Sequence, residues 1–334
     1  MTDQAALRRR RVTAAEVAEA AGVSRSAVSR AFTPGSYIDP DKRAAVMRAA
    51  TELGYRPNAL AAGLSGARSH LVAVFMGEMP NEYDREVVEA LVGGLNRIGT
   101  WPIVIAGPVT SARDAVADVL RFPLEAMILR SGSLDEAVLE ACAKLAIPVI
   151  SSGRLLDRPG VDTICVRNRE GMAKAARLMV ERGRRRVCYI GGPDSFGASD
   201  GRRQGMTEAL AAAGLSPVAV VAGDFSVSSG YRAAQEVLAV SKLDAMICAN
   251  DAMAIGALSA LAEAGLSVPG DVSVTGFDDM AMAAWPAFGL TTVRNPVPAL
   301  VEGVTGLLER RLAEPHRPEE TIRLDADLVL RRTH

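Results

Sequence analysis

Two rhythms of hydrophobic and polar positions divide the chain near residue 70. Before that point, apolar residues recur at helical spacing in short segments punctuated by turn residues. Residues 16–30, Glu-Val-Ala-Glu-Ala-Ala-Gly-Val-Ser-Arg-Ser-Ala-Val-Ser-Arg, predict a helix, a tight turn and a second helix. Thr13 followed by Glu16 predicts a capping box: the hydroxyl accepts a backbone N–H and the carboxylate reaches back. Val17, Ala18 and Ala21 share the inner face of that helix. Gly22 permits the left-handed turn that ends it, and Ser24 is placed to cap the next helix. There Val28 faces inward, leaving Arg25, Ser26 and Ser29 outward, with Arg30 on the same helix. Asp39 and Pro40 open a third helix as cap and first residue. Val46, Ala50 and Leu53 form its inner face and Gly54 closes it. A short helix after Pro57 is weakened by Gly63 and has no core of its own, so it is marginal in isolation.

Beyond residue 70, short apolar runs alternate with amphipathic stretches. Strands are expected at 71–75, 102–105, 126–129, 149–151, 163–166, 187–190, 218–221, 245–248 and 272–276, with a strand-like end at 328–330. Helices are expected at 85–97, 134–145, 171–182, 202–213, 229–240, 253–264 and 298–313. Strand–helix alternation predicts parallel, doubly wound sheets. The strands are too many for one ordinary sheet, so two lobes are expected.

Charge sharpens the division. The chain of 334 residues has a net charge of −1, which hides an asymmetry. Residues 1–70 hold 11 Lys/Arg against 6 Asp/Glu, and the remainder holds 27 against 33. A basic head on an acidic body confines an electrostatic footprint for nucleic acid to one end. Cys142, Cys165, Cys188 and Cys248 lie far apart in apolar stretches, the pattern of buried thiols rather than metal ligands. The start is polar, with no apolar leader, and no run reaches membrane-spanning length. A cytoplasmic protein without metal or cofactor is expected.

Chemistry-bearing residues fall in three groups. Arg25, Ser26, Ser29 and Arg30 suit the edges and backbone of duplex DNA, since a helix fits the major groove and Arg binds guanine with two bonds. In the body, Arg202, Asn250 and Asp278 follow strands, where open α/β sheets bind ligands. Together they supply donors and acceptors for a polyol. Asp251 and Asp279 are read as helix caps. Finally, 197–201 matches the Gly-x-Ser-x-Gly elbow of hydrolases, but six residues separate it from the preceding strand and no suitable histidine follows, so catalysis is not expected. A sugar receptor without regulatory function is the other alternative, opposed by the intact head.

Residues 12–69 resemble the headpiece and hinge of the LacI/GalR transcriptional regulators, and residues 70–334 resemble their sugar-binding-protein-like core. The resemblance implies an all-α helix-turn-helix headpiece at 1–56, a hinge helix and linker at 57–69, and a two-lobed periplasmic-binding-protein-like core at 70–334. Lobe one would hold about 70–167 plus 294–325, and lobe two about 168–293 plus 326–334. The chain would cross between them near 166–169, 293–295 and 325–327. Arg25 and Ser26 match the base-reading pair; Thr13, Ser24, Ser29 and Tyr55 match phosphate contacts, which position without specifying. Asn58 and Ala61 match hinge residues along the minor groove, and Leu64 matches a leucine that wedges between base pairs. Ala27, Ala62 and Gly63 depart from the family pattern. The expected protein is a homodimeric repressor on a pseudo-palindromic operator, controlled by an effector held at Arg202, Asn250 and Asp278, with Tyr83 as a stacking platform. Where neutral-sugar binders often carry acids, this chain has Gly153 and Arg167, with Arg130 and Arg154 nearby. That exchange of acids for bases predicts an anionic effector, a sugar acid or sugar phosphate.

Overall fold

A computed structural model describes residues 11–33, 35–57, 68–107, 109–130, 136–156, 158–194 and 196–334. The chain divides into two compact units, one up to Ser69 and one from His70. The hinge positions Asn58, Ala61 and Leu64 lie outside the described residues.

The first unit contains α1 (Ala14–Ala20), α2 (Arg25–Phe32) and α3 (Pro40–Leu53). Its punctuation is local. Thr13 and Glu16 form the reciprocal capping box of α1. Gly22 turns at φ +63°, and the Ser24 hydroxyl accepts the Ala27 N–H at the start of α2. Asp39 accepts two N–H groups at the start of α3, and Gly54 closes it at φ +67°. Val17, Val28 and Val46 meet in a fully buried centre. One inner-face expectation fails: Leu53 is 40 % exposed, and Ala49 takes the inward position beside Val46 and Ala50. Arg43 donates to the carbonyls of Ala31 and Ser36, tying the end of α2 and the following loop to α3.

The second unit begins with β1 (Leu71–Gly77), α4 (Glu82–Arg97), β2 (Trp101–Ala106), α5 (Val109–Val119) and β3 (Ala126–Arg130). There follow α6 (Glu136–Lys144), β4 (Val149–Ser152) and β5 (Val161–Val166). Later elements α11 (Val297–Ala313) and β11 (Thr321–Leu324) return to this lobe. Its parallel sheet has the order β11-β5-β4-β3-β1-β2. One face packs α4 and α11 over Val72, Val74 and Ile128. The other packs α5 and α6 over Phe75, Met127 and Leu129.

Lobe two holds α7 (Asn168–Glu181), β6 (Val187–Gly191), α8 (Gly197–Ala212), β7 (Ala219–Ala222) and α9 (Val227–Val240). It continues with β8 (Ala245–Cys248), α10 (Asp251–Glu263) and β9 (Ser273–Thr275), whose parallel sheet runs β7-β6-β8-β9. Gly256 lets α10 approach α9: a methyl there would collide with the backbone of Val227 and Tyr231. A ribbon of β10 (Thr292–Val293) and β12 (Leu328–Val329) pairs antiparallel. The chain passes between lobes after β5, between β10 and α11, and between β11 and β12.

Three of these elements went unanticipated, α5, β10 and β11. In addition, several helices start earlier than their first apolar residue suggested. Their polar first turns are helical because side chains satisfy the free N–H groups: Asn81 caps α4, Ser226 caps α9 and Asn250 caps α10. The elbow-like 197–201 is itself the first turn of α8, with the Ser199 hydroxyl buried. A nucleophile elbow needs an exposed serine on a strand-to-helix turn, which this is not. All four cysteines are free and buried, and burial pushes the thiol of Cys142 up to about 11.

Candidate effector cavity and nucleic-acid face

On α2, Ala27, Val28 and Ala31 are buried, so Arg25, Ser26, Ser29 and Arg30 are left in solvent. Arg30 Nε donates to the Ser26 carbonyl at 3.3 Å, lying back along its helix. Ser24 shares a 2.9 Å hydrogen bond with Ser26 besides its capping role. The Tyr55 ring packs edge-on against Phe32 with centroids 5.8 Å apart. Thr13 and Ser24 are therefore engaged at helix starts, where backbone N–H groups and the helix dipole also favour phosphate.

In the second unit, each sheet reverses its winding at one point: between β1 and β3 in lobe one, and between β6 and β8 in lobe two. Such switch points leave a crevice at the carboxyl ends of the strands. The residues following these strands line one cavity of about 70 Å³. Lobe one contributes Asn81, Tyr83 and Asp84 after β1 and Arg130 at the end of β3. Lobe two contributes Phe196, Ala198 and Arg202 after β6 and Asn250 after β8. Phe225, Asn168, Asp278 and Asn295 also line it, with Gly153, Val166 and Leu300.

Arg202 is the centre of its polar wall. Its Nε donates to Asn168 Oδ1 at 2.8 Å, Nη1 to the Ala249 carbonyl at 2.6 Å and Nη2 to Asp278 Oδ1 at 3.2 Å. Its guanidinium carbon lies 3.7 Å from the centre of the Phe277 ring, a cation–π contact strengthened by burial. Asn295 also donates to Asp278, at 3.1 Å. Burial raises the Asp278 carboxyl above its ordinary range, and the Arg202 charge pulls it back. Asn250 uses its amide within the wall, donating to the Phe225 carbonyl at 3.0 Å and accepting the Met253 N–H at 2.9 Å. Phe196 and Phe225 meet edge-to-face, centroids 5.4 Å apart.

The opposite wall repeats the pairing. Arg130 Nη2 lies 3.9 Å from Asp84, and Nη1 donates to Ser152 at 3.4 Å. Burial pushes Asp84 up to about 6, with Arg130 opposing the shift. Burial likewise raises the Tyr83 hydroxyl well above its usual range. Two arginines thus face two carboxylates, and the expected surplus of bases in this cavity is not met. Arg154 does not line it. Arg154 lies with Arg167 in a neighbouring groove, where Arg167 pairs with Asp325 at 3.2 Å. Asp251 and Asp279 serve the framework: Asp251 accepts the Met280 N–H at 2.9 Å, and Asp279 binds Arg294 and Arg331 at 2.8 and 2.6 Å.

Sequence reasoning anticipated Tyr83, Arg130, Arg202, Asn250 and Asp278 at this cavity but missed Asn81, Asp84, Asn168, Phe196, Phe225 and Asn295. Asn81 carried a signal, since an Asx residue capping a helix just after a strand marks a strand-end crevice. The phenylalanines carried none beyond hydrophobicity. Among the described residues no cluster of His, Cys, Asp and Glu could hold a metal, and no helix is long and apolar enough to cross a membrane.

Comparison with known proteins places both units. Residues 13–58 match the family model of bacterial regulatory proteins, lacI family, and residues 176–334 match that of the periplasmic binding protein-like domain. The HTH-type transcriptional regulator CelR of Thermobifida fusca is 31 % identical over 97 % of this chain and 98 % of its own length. The HTH-type transcriptional repressor PurR of Erwinia tasmaniensis is 29 % identical over 96 % of both chains. The lac repressor dimer bound to operator and the anti-inducer ONPF superimposes with a TM-score of 0.88 at 28 % identity, covering 97 % of this chain and 99 % of that one. A CelR–cellobiose complex gives 0.74 at 29 % identity, covering 97 % and 100 %. With the exposed polar face of α2 and the two-lobed cavity already in view, these likenesses make the chain a member of the lacI family, a DNA-binding transcriptional regulator and not an enzyme.

Proposed function

We propose that this regulator is a cytoplasmic, homodimeric repressor whose hold on a pseudo-palindromic operator is set by a small carbohydrate bound between its lobes. One observation carries the reading: the Arg202–Asp278–Asn295 cluster and the Arg130–Asp84 pair come from different lobes yet line one cavity. A ligand touching both couples lobe geometry to its own binding, which is what linkage between two sites requires. At about 30 Å³ per water the cavity of about 70 Å³ has room for about two waters, so a sugar ring would enter with the lobes parted further. Matched charges, amides and the two phenylalanines suit hydroxyls on one side and a ring face on the other. Cellobiose in the CelR complex is a carbohydrate bound by a relative of the same fold.

On the DNA side, Arg25 and Ser26 would read base edges, with Arg30 beside them. Thr13, Ser24, Ser29 and Tyr55 would position the headpiece on phosphates. Asn58, Ala61 and Leu64 would follow the minor groove, Leu64 as the wedge. Exposed apolar residues on the edge strands favour a dimer: Trp101 on β2 is 61 % exposed and Val220 on β7 is 54 % exposed. Two headpieces related by a two-fold axis require an inverted repeat.

Selection of duplexes from a random pool by the full chain, with and without a panel of sugars, tests the reading. A single inverted repeat whose enrichment changes with a sugar is expected. Absence of any enriched repeat under every condition would overturn it.

A further inference from the structure

We infer that the effector carries an anionic group, phosphate or carboxylate, and that this group lies outside the central cavity, in the arginine-lined groove beside it. The inference rests on the proposed carbohydrate effector.

The groove has a volume of about 420 Å³ and shares Gly153, Val166 and Asn168 with the cavity as a common wall. Four arginines line it, Arg154, Arg167, Arg169 and Arg323, against Glu170 and Asp200. Two of the four are committed. Arg169 makes a bidentate pair with Glu208 at 2.8 and 2.6 Å, and Arg167 is held by Asp325. Arg154 and Arg323 have no ion-pair partner among the described residues, and both side chains are exposed.

Their origins matter. Arg154 follows β4, and Arg323 lies on β11 in register with Cys165 of β5, so both belong to lobe one. The aliphatic part of Arg154 nevertheless rests against the first turn of α8 in lobe two: a methyl on Gly197 would sit 3.2 Å from its Cγ. An anion held by Arg154 would therefore sit where the lobes touch. The first turns of α7 and α8 open on this groove, and neither has a side-chain cap, so their dipoles add to the attraction.

Charge balance decides between the two compartments. In the central cavity an anion would face Asp84 and Asp278, each already opposite its own arginine. In the groove it would face two unmatched guanidinium groups, whose planar forks fit carboxylate or phosphate oxygens. The neutral part of the ligand would then occupy the cavity and its charged end the groove.

Titration calorimetry on the full chain tests this with matched pairs: neutral hexoses and pentoses, their terminal phosphates, the corresponding uronates, and inorganic phosphate as a control. At least one charged sugar is expected to bind about tenfold tighter than its neutral parent, with an advantage that shrinks as salt is added. In the double variant Arg154→Gln/Arg323→Gln that ratio should collapse to about one. The phosphate and uronate arms say which anion is used. Equal affinities for neutral and charged members would overturn the inference while leaving a carbohydrate effector in place. A charge preference that survives the double variant but disappears in Arg130→Gln would overturn it by placing the anion in the central cavity. No binding by any sugar would overturn it together with the carbohydrate reading.

Discussion

Arg202→Ala isolates the cluster on which the effector reading depends. In the parent both partners are buried, their side chains 5 % and 4 % exposed. Truncation removes three hydrogen bonds and the contact with Phe277, and it leaves Asp278 with Asn295 as its remaining side-chain donor. Removing one partner of a buried pair costs about 3–5 kcal/mol. The lower end applies here, because Asn295 stays and because burial already favours the protonated carboxyl. At about 2–4 °C per kcal/mol for a unit of this size, a loss of about 3 kcal/mol lowers the core transition by about 6–12 °C. The pH dependence has a definite sign. Without Arg202 the folded pKa of Asp278 rises further above its unfolded value. The folded state then holds a proton that the unfolded state has lost, so stability falls as pH rises through that value. The deficit should therefore be larger at pH 7 than at pH 4, where the unfolded carboxyl also begins to hold its proton. Adding Asp278→Asn should recover part of it, an interaction of about 1 kcal/mol or more. Scanning calorimetry of the full chain, parent and three variants at both pH values, measures all of this. A single variant that melts within about 2 °C of the parent at both pH values and binds sugar normally would refute the reasoning.

Asp84→Asn should flatten a pH dependence. The parent carboxyl is raised from 3.8 to about 6, so its buried charge destabilises the fold progressively as pH rises through about 6, by up to about 3 kcal/mol. Urea midpoints from pH 4 to 8 should fall less steeply in the variant than in the parent, and an unchanged slope would assign the effect elsewhere. Gly256→Ala should destabilise the core by at least about 1–3 kcal/mol, because the added methyl meets the backbone of α9 rather than a movable side chain; a neutral thermal scan would contradict the close approach. Leu64→Ala should weaken binding to the selected repeat while sparing sugar affinity, since the proposed wedge would act only on DNA; filter binding with unchanged affinity would remove that role.

Local chemistry made the headpiece readable. Thr13 with Glu16, Gly22, Ser24, Asp39 with Pro40, and Gly54 each act within four residues, so spacing alone exposes them. Leu53 differs: it is the last helical residue before Gly54, and Val46, Ala49 and Ala50 supply the inward face of α3. Expected helix starts ran late because apolar periodicity begins only where a helix meets the sheet, whereas Asn81, Ser226 and Asn250 begin the helix in polar surroundings. The cavity was legible where a charged residue stood out, as at Arg202, Asp278 and Arg130. Asp84 was not, because nothing in a Glu-Tyr-Asp-Arg stretch distinguishes a carboxyl turned toward Arg130 from one facing solvent. Arg154 was misplaced for a related reason: proximity in sequence to a strand end does not say which side of Gly153 its side chain takes.

The three passages of the chain between lobes bear on how this protein can be rebuilt. The headpiece is one uninterrupted segment, so its DNA specificity can be transplanted with a single junction. Neither lobe of the core is contiguous: lobe one borrows α11 and β11 from the far end of the chain, and lobe two recovers β12 afterwards. Exchanging lobe two for that of a relative needs three simultaneous splices, and lobe one, which also joins the headpiece, needs four. A single junction near residue 70 therefore exchanges the headpiece or the whole core as a unit, whereas mixing the lobes of two parents within one core takes several junctions at once.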